Sequence, residues 1–434
     1  MTGRSPALDY LFSLERFGIK FGLENIRTIV KTLGQPDRAF DSVHIAGTNG
    51  KGSVTAMVDA ALRAAGHRSA RFTSPHLIDL TERFVIDGHS VAEPALEHVV
   101  GDVRDCIARL IAAGAIPAQP TFFEVTTAAA FELFRRAGVE VGVIEVGLGG
   151  RLDSTNVITP RVTAITSIAF DHEQYLGHTL AAIAAEKAGI IKPSVPMVLG
   201  QLADEARLVI EEIARERAAP VVSAWSDTTA DRVELAPGQP TRIRLRTPVR
   251  DYGDIMLSLR GQHQIGNAVV AVRILEQLDG IGIDVPPAAI VAGLAQVSWP
   301  GRLEHRRLPD GREMILDAAH NPAGAATLAA YLAETFADKP PLVFAAMIDK
   351  DVRRMFEALL PAVSTLVVTR ASTARSADPE TLAREAAAVA PDLPVHVEPN
   401  RAEALAAAWA DSPRIVVAGS IFLLGDVISE AGLS

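Results

Sequence analysis

Cysteine is almost missing from this chain: Cys106 is the single one among 434 residues. An internal disulfide framework is therefore excluded, which fits a reducing compartment and leads us to expect a cytoplasmic protein. An excess of positive charge is missing too. The 42 lysines and arginines face 52 aspartates and glutamates, for a net charge of −10, so there is no general basic face for nucleic acid. No apolar run approaches the roughly 20 residues that cross a bilayer, and the N-terminus has no signal-peptide core. No partnership with a membrane is expected. Repeats and low-complexity tails are also missing; the alanine-rich stretches follow helical spacing. What is present is a globular composition, 48% hydrophobic and 22% charged. At this length one ordinary core is exceeded, and two domains of about 300 and 130 residues are expected.

The richest stretch is Gly47-Thr48-Asn49-Gly50-Lys51-Gly52-Ser53. It follows the apolar run Val43-His44-Ile45-Ala46 and precedes a helical pattern over 54–65 that stops at Gly66. A strand, a glycine-rich turn and a helix start make a phosphate cradle, with backbone N–H groups and the helix N-terminus facing an anion. Lys51 can reach the outer phosphates of a nucleoside triphosphate, and Ser53 can face a magnesium ion. Compared with the general P-loop, the turn is two residues short and an extra glycine separates Lys51 from Ser53.

Residues 10–33 read as helical segments broken near Gly18 and Gly22. Beyond the P-loop, apolar strand candidates at 139–146 and 162–168 alternate with helical patterns at 94–113, 126–137, 179–188 and 204–218. That alternation predicts a doubly wound α/β domain with a mostly parallel sheet over residues 1–297. From about 221 to 259 the pattern changes, and Arg242-Ile243-Arg244-Leu245-Arg246 alternates as an antiparallel strand would. A small β-rich annex is expected there. Val297-Ser298-Trp299-Pro300-Gly301 reads as a hinge. Strands near 314–316, 342–346, 365–368, 395–397 and 414–418 then predict a smaller Rossmann-like α/β domain over 298–434.

Further constellations stand at strand ends. Glu145 follows a hydrophobic strand, where a carboxylate beside a P-loop suits the oxygen-seeking magnesium ion. His172, after Asp171, reads on chemistry alone as a structural histidine, because imidazole is an uncommon magnesium ligand. Lys187 on its spacing reads as a surface lysine.

Taken in order, these words resemble the folylpolyglutamate synthase and dihydrofolate synthase family, a branch of the Mur ligase superfamily. The resemblance rests on Phe17-Gly18-Ile19-Lys20, the P-loop in its shortened form, Ser74-Pro75-His76-Leu77 and Thr121-Phe122-Phe123-Glu124. It continues through 145–153, Asp171-His172, Glu186-Lys187-Ala188-Gly189-Ile190, Gly261-Gln262-His263-Gln264 with Asn267, Pro300-Gly301-Arg302 and Asp317-Ala318-Ala319-His320-Asn321-Pro322. It implies an ATP-dependent ligase that joins L-glutamate to 7,8-dihydropteroate and to reduced folates through an acyl phosphate, acting as a monomer.

By that resemblance Asn49, Gly50, Lys51, Gly52 and Ser53 cradle ATP, while Ser74, Glu145 and His172 hold magnesium, in two ions. Lys187 is carbamylated in many relatives, which implies support for the second ion. Asn267 and Asp317 address the adenosine, Arg302 reaches the phosphates, and His320 lies near the transferred group. For Arg302 a surface ion pair is the plain alternative to a phosphate contact. Phe123, with Leu152, Asp153 and Ser154, faces the pterin acid; Phe122 reads equally as a core residue. Ser420 contacts the incoming glutamate. Lys20 departs from an acid carried by bifunctional relatives. A chain extender without synthase activity and, more remotely, a P-loop switch without ligase chemistry remain as alternatives.

Overall fold

A computed structural model describes residues 5–18, 20–233, 241–410, 412–430 and 432. Ile19 of the Phe-Gly-Ile-Lys word and residues 234–240 of the expected annex lie outside them.

The first domain carries β1 (Asp41–Ala46), β2 (Ser69–Phe72), β3 (Phe84–Ile86), β4 (His89–Ser90), β5 (Val141–Glu145), β6 (Val162–Ile165), β7 (Met197–Leu199) and β8 (Val221–Ser223). They form one sheet in the order β4-β3-β2-β5-β1-β6-β7-β8. From β2 to β8 neighbours run parallel, and β3 and β4 turn antiparallel at one edge. The central strands are buried along nearly their whole length because helices cover both faces. Val43, Val143 and Ile144 are wholly buried, each contributing about 1.5–3 kcal/mol of hydrophobic stabilisation. Parallel strands bring their carboxyl ends to one edge, so the turns after β1, β2, β5 and β6 converge there.

Two boundaries differ from the expectation. Val221–Ser223 is not part of the annex: it pairs in parallel with β7, because the helix Asp204–Glu216 crosses back over the sheet. The strand expected to run to residue 168 ends at Ile165. Thr166 and Ser167 leave the ladder because both hydroxyls donate to the carbonyl of Asn49, at 2.6 and 2.9 Å.

The annex is β9 (Thr229–Val233), β10 (Thr241–Arg246) and β11 (Asp251–Leu257), antiparallel in the order β11-β10-β9. Its alternation matches the sequence reading: Ile243 and Leu245 enter the first domain's core, and Arg244 and Arg246 face outward.

The second domain adds β12 (Glu304–Arg307), β13 (Glu313–Asp317), β14 (Leu342–Phe344), β15 (Leu366–Val368), β16 (Val395–Val397) and β17 (Arg414–Ala418). The order is β12-β13-β17-β14-β15-β16, parallel except for β12. β12 was not expected. Its Glu-His-Arg-Arg sequence has no apolar alternation, and it forms only through pairing with β13.

Candidate active site

The turn between β1 and the helix Lys51–Ala64 is laced to the loop after β6. The N–H of Thr48 donates to Ser167 O at 2.8 Å, and that of Asn49 to Ser167 Oγ at 2.9 Å. Gly50 has φ +86°, and a Cβ there would stand 2.4 Å from Asn267 Oδ1, so only glycine fits. Lys51 Nζ donates to Gly47 O at 3.0 Å and to Thr48 O at 3.2 Å. Ser53 is buried, and its Oγ accepts from Gln264 Nε2 at 3.3 Å. Gln264 in turn accepts from Asn267 Nδ2 at 2.9 Å.

At the end of β5, Glu145 is buried and accepts the N–H of Ser74 at 3.3 Å. Burial raises its carboxyl to about 6 against the opposing pull of Lys51, that N–H and Arg302. Its oxygens thus keep spare acceptor capacity beside the cradle. Burial lowers His172 to about 4, so its imidazole is neutral at ordinary pH, as a ligand must be. Among the described residues, no three acidic, imidazole or thiol side chains gather at one point.

Lys187 is no surface lysine. It is buried, and its Nζ donates at 3.0 Å to Gly47 O, the same carbonyl that Lys51 uses. Burial and the neighbouring Lys51 charge bring it down to about 7, so a substantial neutral fraction exists near pH 7.

From the second domain, the half-buried Arg302 enters beside Glu145 and Asp317, whose charges offset part of its burial cost. Asp317 is buried, accepting Leu303 N–H at 2.8 Å and Ala319 N–H at 2.9 Å. It shapes the turn that carries Arg302. Asn321 caps the helix Pro322–Thr335 by accepting Gly324 N–H at 2.8 Å, with Pro322 opening that helix. Its Nδ2 donates to Asn49 Oδ1 at 2.9 Å and to Asp171 Oδ2 at 3.2 Å. Asp171 also meets Lys350 Nζ at 2.7 Å and His320 Nε2 at 3.4 Å. Burial works to raise the Asp171 carboxyl, but His320, Lys350 and His172 outweigh it and hold it well below the usual carboxylate range. One carboxylate of the first domain thus gathers three side chains of the second.

Two cavities meet here. One of about 460 Å³ contains the whole turn 47–53, Glu145, Lys187, Asn267 and Asp317. The other, of about 430 Å³, contains Phe123, Leu152, Asp153, Ser154, Ser420 and Lys20. Ser74, His172, Arg302 and His320 line both. Phe123 stacks on Phe72 with ring centroids 6.0 Å apart. Phe122 points elsewhere, against Phe12 and under the Arg83 guanidinium. Thr121 and Glu124 form a capping box at the start of the helix Phe122–Arg136. Half of the Thr-Phe-Phe-Glu word is therefore helix punctuation. Asp153 accepts Leu148 N–H at 2.8 Å and Thr155 N–H at 3.0 Å, so its carboxylate also holds its own loop. The buried Ser420 Oγ accepts Phe422 N–H at 3.1 Å.

Sequence reasoning placed Gln264, Thr166, Ser167 and Asp171 in its motifs without giving their side chains a role, and it missed Lys350. The first three support the turn rather than face the cavity with a charge. Lys350 stands between two aspartates in the sequence, which reads as a solvated loop; only tertiary folding carries it to Asp171.

Residues 45–275 match the Mur ligase middle domain, and residues 301–421 the Mur ligase glutamate ligase domain. The chain is 38% identical over 384 residues to the probable bifunctional folylpolyglutamate synthase/dihydropteroate synthase of Haloferax volcanii, covering 87% of this chain but only 44% of that longer protein. It is 39% identical over 375 residues to the dihydrofolate synthase/folylpolyglutamate synthase of Mycobacterium tuberculosis, covering 83% of this chain and 76% of that one. The crystal structure of Mycobacterium tuberculosis folylpolyglutamate synthase complexed with ADP and AMPPCP aligns with a TM-score of 0.90 at 36% identity over 98% of both chains. The P-loop domain and the second α/β domain, with the cradle that opens into another cavity between them, are those of the Mur ligases. The chain belongs to the Mur ligase family, in its folylpolyglutamate synthase and dihydrofolate synthase branch.

Proposed function

We propose that this ligase adds L-glutamate to 7,8-dihydropteroate and also extends reduced folates by further glutamates. The observation that carries the reading is the shared wall: Ser74, His172, Arg302 and His320 border both the nucleotide cavity and the second one. A carboxylate is a poor acylating agent because its oxygen leaves badly. Its attack on the γ-phosphorus of ATP breaks the bond to the bridging oxygen, releases ADP and forms an acyl phosphate. The glutamate amine then attacks the acyl carbon, phosphate departs, and the nitrogen sheds a proton. The P-loop amides and Lys51 hold the triphosphate, and Arg302 offers a planar fork to phosphate oxygens. Closing the two domains keeps water from the acyl phosphate.

Ser74, Glu145 and His172 are the residues that would hold magnesium. The ion would offset repulsion between the triphosphate and the incoming carboxylate. The neutral fraction of Lys187 supports carbamylation: the neutral Nζ bonds to the carbon of CO2 and loses one proton, leaving a carbamate anion where the protonated lysine, which must first give up its own extra proton, would be a cation. Labelled bicarbonate followed by NMR tests that step directly. Phe123 with 152–154 supplies the face for the pterin acid, and Ser420 lies where the glutamate would enter. No second subunit is needed to supply a reacting group, and the single cysteine favours action in a reducing cytoplasm.

Phosphate release in the presence of ATP, magnesium and glutamate tests the proposal, with dihydropteroate or a reduced folate as acceptor. Release with both acceptors is expected. Release with the reduced folate alone would leave a chain extender, and hydrolysis indifferent to acceptor and glutamate would overturn the reading.

A further inference from the structure

The hinge carries a residue that the reaction above leaves unused. The indole of Trp299 lies directly on the first turn of the P-loop helix. A Cβ on Gly52 would stand 2.5 Å from Trp299 Cζ2, 2.9 Å from Cε2 and 3.1 Å from Nε1. Gly52 is not among the positive-φ glycines, so its backbone would accept any residue. The indole is what requires a glycine between Lys51 and Ser53.

Trp299 is also held by a second contact. The Arg71 guanidinium lies 5.5 Å from its ring centroid, within range of a cation–π attraction. Arg71 Nη1 donates to Asp59 at 2.8 Å. Asp59 is fully buried on the helix Lys51–Ala64, accepts from Ser69 Oγ at 2.6 Å and pairs with Arg63 at 3.4 Å. The ring therefore touches the P-loop helix directly and also through a guanidinium that the same helix holds. Two residues on, Gly301 O accepts the N–H of Ala318 at 2.8 Å, which fastens the chain to the second domain. Only Pro300 separates the two attachments, and Arg302 follows at once.

We propose that Trp299 is a positioning residue. Its indole sets the register of the hinge against the P-loop, so that Arg302 meets the phosphates held by Lys51 and Ser53. The inference rests on the ligase reaction proposed above. It assigns the extra glycine and the hinge tryptophan to one device: a rigid spacer between the residue that grips the triphosphate and the residue that reaches it from the other domain.

A double-mutant cycle tests it in the full chain, with Trp299→Ala, Trp299→Phe, Gly52→Ala and the Gly52→Ala/Trp299→Ala pair. Turnover at saturating substrate, the Kd of magnesium ADP and the thermal midpoint are measured for each. Trp299→Ala should lower kcat by about tenfold or more, the scale of a small misplacement of reacting groups. The ADP Kd should move less than about threefold, because the P-loop amides remain. Trp299→Phe, which keeps a ring against Gly52, should recover most of kcat. Gly52→Ala should lower kcat in the unaltered chain, yet change it by less than about twofold once the indole is gone, the mark of coupled neighbours. A Trp299→Ala protein with reduced thermal midpoint but full kcat per folded molecule overturns the inference and leaves the ligase reading standing. Strictly additive effects of the two substitutions overturn it as well. Absence of glutamate-dependent phosphate release in the unaltered chain overturns the ligase reading, and this inference with it.

Discussion

The P-loop end of the first cavity is formed by turns that directly follow β1, β2, β5 and β6, with Lys187, Asn267, Arg302 and Asp317 added from farther along the chain, whereas the second cavity collects side chains from Lys20 to Phe422. The difference is one of materials. In the reading proposed above, main-chain amides and Lys51 grip the triphosphate, so that grip is written in seven consecutive residues, Gly47 to Ser53. The second cavity is a cationic space. Lys20, Arg83, Arg302, Lys350 and Arg375 line it, the last two paired with Asp171 and Asp349 at its margin, and among the described residues Asp153 is the one acid in its lining, occupied by its own loop. Such a space suits an acceptor and an amine that both carry carboxylates. A backbone cradle can be made in only a few ways, while a cationic chamber can be assembled from many segments.

The largest effect should come from the cradle. Lys51→Ala is expected to cost about a thousandfold or more in turnover, the range for losing a charge that stabilises phosphoryl transfer. Steady-state phosphate release checks this, and activity within tenfold of the unaltered chain would dissolve the contrast between the cavities. Next is the joint between them. Lys350→Met leaves the Asp171 carboxylate without its lysine partner, holding His320, Asn321 and the N–H of His172. A fall of about tenfold to a hundredfold in kcat/KM for glutamate is expected from such misplacement, and an unchanged value would show that the two domains do not depend on this ion pair. Smaller still, Phe123→Ala removes one aromatic face of the second cavity. The acceptor KM should rise about tenfold, the worth of one aromatic stacking contact, with the ATP KM unmoved. A shift in the ATP KM of similar size would mean that the cavities act as one.

The same contrast governs how much could be read in the sequence. The P-loop, the strand-end Glu145, the parallel sheets and the annex alternation were legible because each is a local rule about backbone or periodicity. The depth of Lys187 was not, since nothing in Glu-Lys-Ala-Gly announces that the helix Leu180–Ala188 turns this residue inward to Gly47 O. Asp171 was noticed only as the neighbour of His172, although it gathers Lys350, His320 and Asn321 from more than 140 residues away along the chain. The Thr-Phe-Phe-Glu word misleads in part because a capping box and a cavity wall overlap in it. Tertiary assembly of charge is the step that local rules leave out.

His44 sits within β1, fully buried, with Nε2 2.9 Å from Thr155 Oγ1. Thr155 gives its own hydroxyl proton to Asp153, so it must accept from His44 Nε2–H. Nδ1 is then left without a partner. Burial, helped by the charge of Lys192, brings His44 down to about 3 from its ordinary 6.5. Between those two values the unfolded chain holds a proton at this site that the folded chain refuses, so folding stability must decline as the pH is lowered through that window. His44→Leu removes the titration while keeping an apolar side chain in the sheet. Its thermal midpoint should lie near that of the unaltered protein at neutral pH, and acidification should lower it less steeply. Other buried groups add their own slopes, but they are common to both proteins and cancel in the difference between the two curves. Parallel midpoint curves from neutral pH down to about 4 would show that His44 accepts a proton in place, and that the strand under the cradle is less closed to water than its burial implies.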